Sequence, residues 1–217
     1  MKKLISYRLL FFVTLFICNI KCQKQIRPVN TTLSPSSLAQ SSAITSAIIY
    51  TDVNPDVARI STEYNSPQSY NLDLNKDGTA DFQIQAYATH VYFKSAAGVK
   101  ISSLNMNQVA CSSSPPDSLP LAINGGNTIS SGLKWVNINL PLGMFLREYY
   151  TPPIHWLGKW TDSTDHYLGL KIIQGGNTYY GWVRLSVSII LGKSSVTIKD
   201  YAYNSVPNQQ ILAGQTK

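Results

Sequence analysis

Tyr167-Leu-Gly-Leu-Lys-Ile-Ile173, Gln174-Gly-Gly-Asn177 and Tyr179-Tyr-Gly-Trp-Val-Arg-Leu-Ser-Val187 form the stretch whose reading decides the fold. Two runs rich in β-branched and aromatic residues flank a glycine-rich turn, the pattern of an antiparallel hairpin. Strand side chains alternate between faces, so Val183, Leu185, Val187 and Ile189 share one face and Arg184, Ser186 and Ser188 the other. A third run, Val196 to Tyr203, follows the Leu191-Gly-Lys-Ser194 turn. The last third of the chain therefore reads as a meander with one face buried. Working backwards, Ile48 to Thr51, Ser69 to Leu74, Asp81 to Lys94 and Lys134 to Leu140 are further strand candidates. A second Asn-Gly-Gly-Asn turn, Asn124 to Asn127, separates Leu119 to Ile123 from the strand holding Trp135. Apolar residues at helical spacing do not persist, and glycine and proline recur. The expected fold is all-β: an antiparallel β-sandwich or jelly roll with a C-terminal meander.

The turn between the second and third strand candidates carries the strongest chemical signal. Asp73-Leu-Asn75-Lys-Asp77-Gly78-Thr79-Ala-Asp81 sets oxygen ligands at alternate positions around a turn glycine, the spacing of a calcium loop. Asp73, Asn75 and Asp77 take positions one, three and five. Thr79 offers its carbonyl at seven, and Asp81 fills nine directly or through water. A helical EF-hand has a bidentate Glu at position twelve, where this chain has Ile84. The expectation is therefore a Ca2+-bound turn joining two strands, with further oxygens from elsewhere, Asp52 and Asp56 being candidates. The plain alternative is an Asp/Asn/Gly turn without an ion, because these residues are the usual turn formers.

The first residues set the compartment. Lys2, Lys3 and Arg8 precede an apolar run from Leu9 to Ile20, the layout of a signal peptide over residues 1–22 and too short for a comfortable membrane span. Cys22 follows the apolar run and precedes a Gln/Lys/Pro/Asn/Ser/Thr-rich stretch, read as a flexible tether over 23–42. Lipidation at Cys22, or less favourably at Cys18, simple secretion, and an uncleaved anchor all place the folded part, residues 43–217, outside the cytoplasm. It would sit at an outer membrane or cell surface, in the periplasm, or free, touching a membrane only through its N-terminal anchor.

Charge is consistent with that placement. The full chain carries +7, but Lys2, Lys3, Arg8 and Lys21 supply four of its 18 basic residues, leaving 14 against 11 acidic residues and a charge of +3. No basic cluster remains, which argues against nucleic acid as a partner. Charged residues make up 13% of the chain against about 25% in an average domain. If Cys22 is lipidated, Cys111 stands alone as a buried thiol; if Cys22 is retained unmodified, a Cys22–Cys111 disulfide is an alternative.

Pro152 to His166 gathers two of the four tryptophans and two of the three histidines. Trp156 and Trp160, four residues apart, share a face in either a strand or a helix and are the candidate sugar-stacking pair. Asp162, Asp165 and His166 are a weaker candidate for a metal or acid/base cluster. The competing reading buries the tryptophans in the core and uses the aspartates as turn caps. No Gly-x-Ser-x-Gly elbow, His-Glu-x-x-His or phosphate loop occurs, and the two glutamates are Glu63 and Glu148. An enzyme is therefore the less favoured reading, and no catalytic residue is assigned.

Tyr167-Leu-Gly-Leu-Lys, Tyr180-Gly-Trp-Val-Arg-Leu, Ile198-Lys-Asp-Tyr-Ala-Tyr-Asn and Ile211-Leu-Ala-Gly-Gln together resemble the end of a group of bacterial secreted and surface-anchored proteins without an established activity. Many of these also carry an earlier Asp/Asn/Gly loop followed by Phe, like Asp77-Gly-Thr-Ala-Asp-Phe82. In that group the string precedes an anchoring tail, whereas this chain stops at Lys217, which fits anchoring at the N-terminus. The resemblance implies fold and compartment. The functional expectation is a cell-envelope β-sandwich module with structural calcium and a glycan or protein partner. The alternatives are an extracellular polysaccharide hydrolase and a purely structural surface or adhesion protein.

Overall fold

The computed structural model describes residues 47–91, 94–113, 118–148, 155–160 and 162–217, all within a compact unit that begins at Ile44. The expected signal peptide, tether, Cys18 and Cys22 lie outside the described residues, as do residues 152–154 and 161 of the aromatic segment.

No helix occurs among the described residues, and the strands form an antiparallel β-sandwich. In chain order they are β1 (Ile48–Thr62), β2 (Gln68–Leu72), β3 (Phe82–Val91), β4 (Lys94–Ser103), β5 (Gln108–Cys111), β6 (Thr128–Ile129), β7 (Lys134–Val136), β8 (Asn139–Glu148), β9 (His155–Gly158), β10 (Asp165–Gln174), β11 (Asn177–Ile190), β12 (Lys193–Asn204) and β13 (Ile211–Leu212). One sheet runs β1-β12-β11-β10-β5-β7 and the other β2-β3-β4-β8-β9, while β6 and β13 pair apart from both.

The main core is made where alternating apolar faces meet. Phe82, Ile84 and Ala86 of β3 join Val99 and Ile101 of β4, Leu168 and Leu170 of β10, and Val183, Leu185 and Val187 of β11 in one buried cluster. The expected meander is present as β10-β11-β12, with Gln174 opposite Asn177 at the first turn and Ile190 opposite Lys193 at the second.

Its expected one-sided burial holds only for part of its length. Tyr180, Trp182 and Ala202 project from the other face into a second cluster with Ile123, Ile129, Ile211 and Ala213. The cover comes from the segment before β7 and from the C-terminal tail: Gly126 N–H donates to Ala213 O and Ala213 N–H to Asn127 O, both at 2.9 Å. Trp182 is buried there, with Tyr167 edge-on to it at 5.1 Å between ring centroids. Farther along β11, Ser186 and Ser188 leave that cover, and there the period-two pattern of burial returns.

Glycines mark the closest approaches. A side chain at Gly181 would meet Ala202 O at 2.6 Å and Leu74 Cδ2 at 2.9 Å, so its absence lets the β2–β3 turn press Leu74 onto the sheet. At Gly143 a Cβ would meet Trp160 O at 2.8 Å and Ile189 Cδ1 at 2.9 Å. Cys111 is a free thiol, 2% exposed, and burial pushes its pKa up to about 11. It sits in the main core as a small apolar side chain.

Candidate metal centre

The turn from Asp73 to Asp81 is built by its own short polar side chains. Asp73 accepts the N–H groups of Asp77, at 3.1 Å, and Gly78, at 2.8 Å. Asn75 Oδ1 accepts the same Asp77 N–H at 3.2 Å, and Asp77 Oδ1 accepts Thr79 N–H at 2.9 Å. Each of these side chains satisfies a backbone donor two to five residues ahead, the mechanism by which Asp and Asn stabilise turns. Lys76 and Gly78 have positive φ, 59° and 89°, so the chain curls tightly around the oxygens. The Asp77 carboxyl is held below its usual range, first by the Thr79 N–H and then by the Asn75 amide, so it is an anion at neutral pH.

Asp81 behaves differently from the other four expected donors. It is 6% exposed and turned inward, where Oδ2 accepts Leu74 N–H at 2.9 Å and Oδ1 accepts the Asn107 amide at 2.9 Å. Its backbone is fixed too, donating to Leu72 O at 2.8 Å and accepting from Leu104 N–H at 2.9 Å. Burial pushes its pKa up, offset by the Leu74 and Asn107 bonds, and the charges of Asp77 and Asp73 push in the same direction as burial. Asp81 is thus the brace that ties the turn to the core.

Two residues that the sequence reading did not single out complete this region. Gln174, at the end of β10, reaches the turn from nearly a hundred residues away: Nε2 donates to Asp77 Oδ2 at 2.9 Å, and Oε1 accepts from the Asn75 amide at 3.1 Å. Asn107, buried, bonds Asp81 and also accepts Ile173 N–H at 3.0 Å, linking the turn to the β10–β11 hairpin. No spacing signal could reveal either residue, because both act across the sandwich. Asp52 and Asp56, the expected additional ligands, stand on or within the bulge of β1 that interrupts its pairing with β12, and Asp52 faces Asp200 in that register.

As a test of fit, the donor set suits a hard cation in type and only partly in assembly. The side-chain oxygens of Asp73, Asn75 and Asp77, the Thr79 carbonyl and Gln174 Oε1 are calcium-type ligands on one turn and its neighbour. No group of three or more His, Cys, Asp or Glu side chains with metal-holding geometry occurs among the described residues. The fit therefore relies on amide and carbonyl oxygens beside Asp73 and Asp77.

The segment at 155–166 does not bring its candidates together. Trp156, on β9 opposite Phe145, is 53% exposed, whereas Trp160 is 1% exposed and belongs to the main core. The four-residue spacing fails to align them because the strand ends between them at Gly158, whose φ of 104° and tight approach to Leu142 redirect the chain. An exposed two-ring platform is therefore not formed.

Trp160 packs edge-on to His166 instead, centroids 5.6 Å apart. His166 Nε2 lies 2.9 Å from Asp162 Oδ2 and 3.1 Å from the Thr164 hydroxyl. Asp165, on the adjacent strand position, turns to Lys199 Nζ at 2.9 Å and joins Arg184, which grips buried Asp200 through two bonds of 2.9 and 2.7 Å. Asp162 and His166 thus form a pair at the surface, and Asp165 belongs to a separate ionic network. No protein-family model, curated protein or solved structure matches this chain.

Proposed function

We propose that the chain is an exported β-sandwich binding module of the cell envelope, in which the Asp73–Asp81 turn holds a structural calcium ion and the surface meets a glycan or protein partner. The observation that carries this reading is the turn itself: the backbone curls around the oxygens of Asp73, Asn75 and Asp77 and donates to them, and Gln174 joins them from another strand. Calcium, when bound, would supply charge neutralisation between Asp73 and Asp77 and a rigid link between the turn and the β10–β11 hairpin. Asp81 and Asn107 would anchor that link in the core. Export is supported by the charge and apolar pattern of residues 1–22.

The hydrolase alternative needs two carboxylates around one reacting bond. Asp165 is engaged with Lys199, and Asp162 with His166, which weakens that reading.

Thermal melts of chelator-treated protein with and without added calcium test the proposal. A ligand that binds only the folded state adds RT ln(1 + [L]/Kd), about 2.7 kcal/mol at a hundred times Kd. A rise in melting temperature that Asp77→Ala largely removes is the expected result. No shift at millimolar calcium would discard the metal from this reading.

A further inference from the structure

A hollow of about 300 Å3 opens beside the turn, lined by Asn75, Asp77, Gln174, Tyr179, Tyr203 and Ser205. Its two tyrosines come from neighbouring strands of the meander, and both are half-buried against the main core, so packing holds their rings in place. Tyr203 stands opposite Gly181 in the β11–β12 register, where the missing side chain lets Leu74 pack close beside Tyr203 and support it from below. The rim is amide and carboxylate. Gln174 and Asn75 donate to Asp77 Oδ2 at 2.9 and 3.1 Å, and Asn75 also donates to Gln174 Oε1 at 3.1 Å. An amide group has two N–H donors and a carbonyl with two lone pairs, and a carboxylate has about four acceptor sites, so each keeps capacity for an incoming hydroxyl.

The combination selects a ligand class. With the turn free of an ion, an anionic ligand would be repelled by Asp77 and Asp73, and a wholly apolar one would strip water from the amide rim without replacing its hydrogen bonds. A ligand with one apolar face and a rim of neutral hydroxyls satisfies both parts. The volume is near the lower limit of about 300–1,000 Å3 for small-molecule sites, which suits a single ring.

We propose that this hollow binds a pyranose sugar, with the ring's C–H face against Tyr179 and Tyr203 and adjacent hydroxyls bonded to Gln174, Asn75 and Asp77. The proposal rests on the reading of the chain as an extracytoplasmic binding module. It moves the sugar contact away from Trp156 and Trp160.

The test is a titration of the exported protein with mannose, galactose and N-acetylglucosamine, observed by saturation transfer to the sugar in NMR, in calcium and in chelator. At least one sugar should bind, and Tyr203→Ala or Gln174→Ala should weaken it tenfold or more. Trp156→Ala should leave it unchanged. Gln174 is exposed at a turn, so its variant keeps the test valid if Tyr203→Ala unfolds. Absence of transfer from all three sugars in both conditions overturns the site, as does binding that none of the hollow's substitutions alters. Calcium is read separately by melting: a calcium shift without sugar binding removes this site and leaves the ion, and sugar binding without a calcium shift does the reverse.

Discussion

The turn at 73–81 and the segment at 155–166 are both crowded with polar or aromatic residues, yet they are organised in opposite ways. In the turn, Asp73, Asn75 and Asp77 find donors two to five residues ahead. In the segment, sequence neighbours part company: Trp160 enters the core while Trp156 stays out, and Asp162 meets His166 while Asp165 meets Lys199. Regular spacing is informative where the partners are local. Where the partners lie on other strands, the same spacing says little.

The sharpest way to break that contrast is to remove each tryptophan. Trp160→Ala should cost about 3–5 kcal/mol, because a large buried ring leaves a cavity behind. Trp156→Ala should cost well under that, since surface substitutions are usually within about 0.5 kcal/mol. Denaturant unfolding of both variants measures the difference. Equal losses would restore the two residues as one unit.

Asn107 probes the point at which the local turn becomes tertiary. It bonds the Asp81 carboxylate and the Ile173 N–H, so Asn107→Ala leaves buried polar groups unpaired at about 1–3 kcal/mol. Loss of that order in unfolding free energy is expected, together with weaker calcium stabilisation. A change below about 0.5 kcal/mol would mean that the turn stands without its brace.

These contrasts also explain what could be read in advance. The β10–β11–β12 meander is legible because alternation and glycine turns are local properties, and residues 73–81 are legible as a turn for the same reason, although Asp81, expected as the ninth-position ligand, has both carboxylate oxygens turned to Leu74 and Asn107. β4 was hidden by its small residues, Ser95-Ala-Ala-Gly98, whose place depends on the Tyr87 ring lying where a Gly98 side chain would be. The run Lys134 to Leu140, expected as one strand, is divided between β7 of one sheet and the start of β8 of the other, and β8 continues past Pro141 and Gly143; the proline falls beside a register shift and the glycine makes room for Trp160. The second core was hidden for a related reason: its cover pairs Ile211 with Ile129, a contact that no periodicity encodes. Of the candidate site, Asp73, Asn75 and Asp77 were visible, whereas Gln174 and Asn107 depended on topology.

The calcium melt sharpens the first half of the contrast. With ion at a hundred times Kd, the wild type should gain about 2.7 kcal/mol and Asp77→Ala little of it. Asp52→Ala should retain the gain, because Asp52 faces Asp200 across the β1–β12 ladder. Loss of the gain in Asp52→Ala would bring a residue of β1 into the ion site.

The smallest expected effect is one of pH, and its sign differs between the two regions. Hydrogen bonds from His166, then from the Thr164 N–H, hold the Asp162 carboxyl down at about 2 from an ordinary 3.8. The folded state therefore binds this proton less tightly than the unfolded chain. The contribution of Asp162 to stability is present above about pH 4 and is lost as pH falls from there towards 2. Asp81 has the opposite sign: burial raises its pKa, so its contribution is greatest at low pH and declines as pH rises through its folded value. Melting curves between pH 2 and 6 for the wild type, Asp162→Asn and Asp81→Asn separate the two. Subtracting the Asp162→Asn curve from the wild type should leave a difference that shrinks as pH falls below 4. The Asp81→Asn difference should change in the other direction with pH. Two differences of the same sign would show that the inward carboxylate of the turn and the surface carboxylate of the segment are held by the same kind of contact, and the contrast between the regions would fail at its most local level.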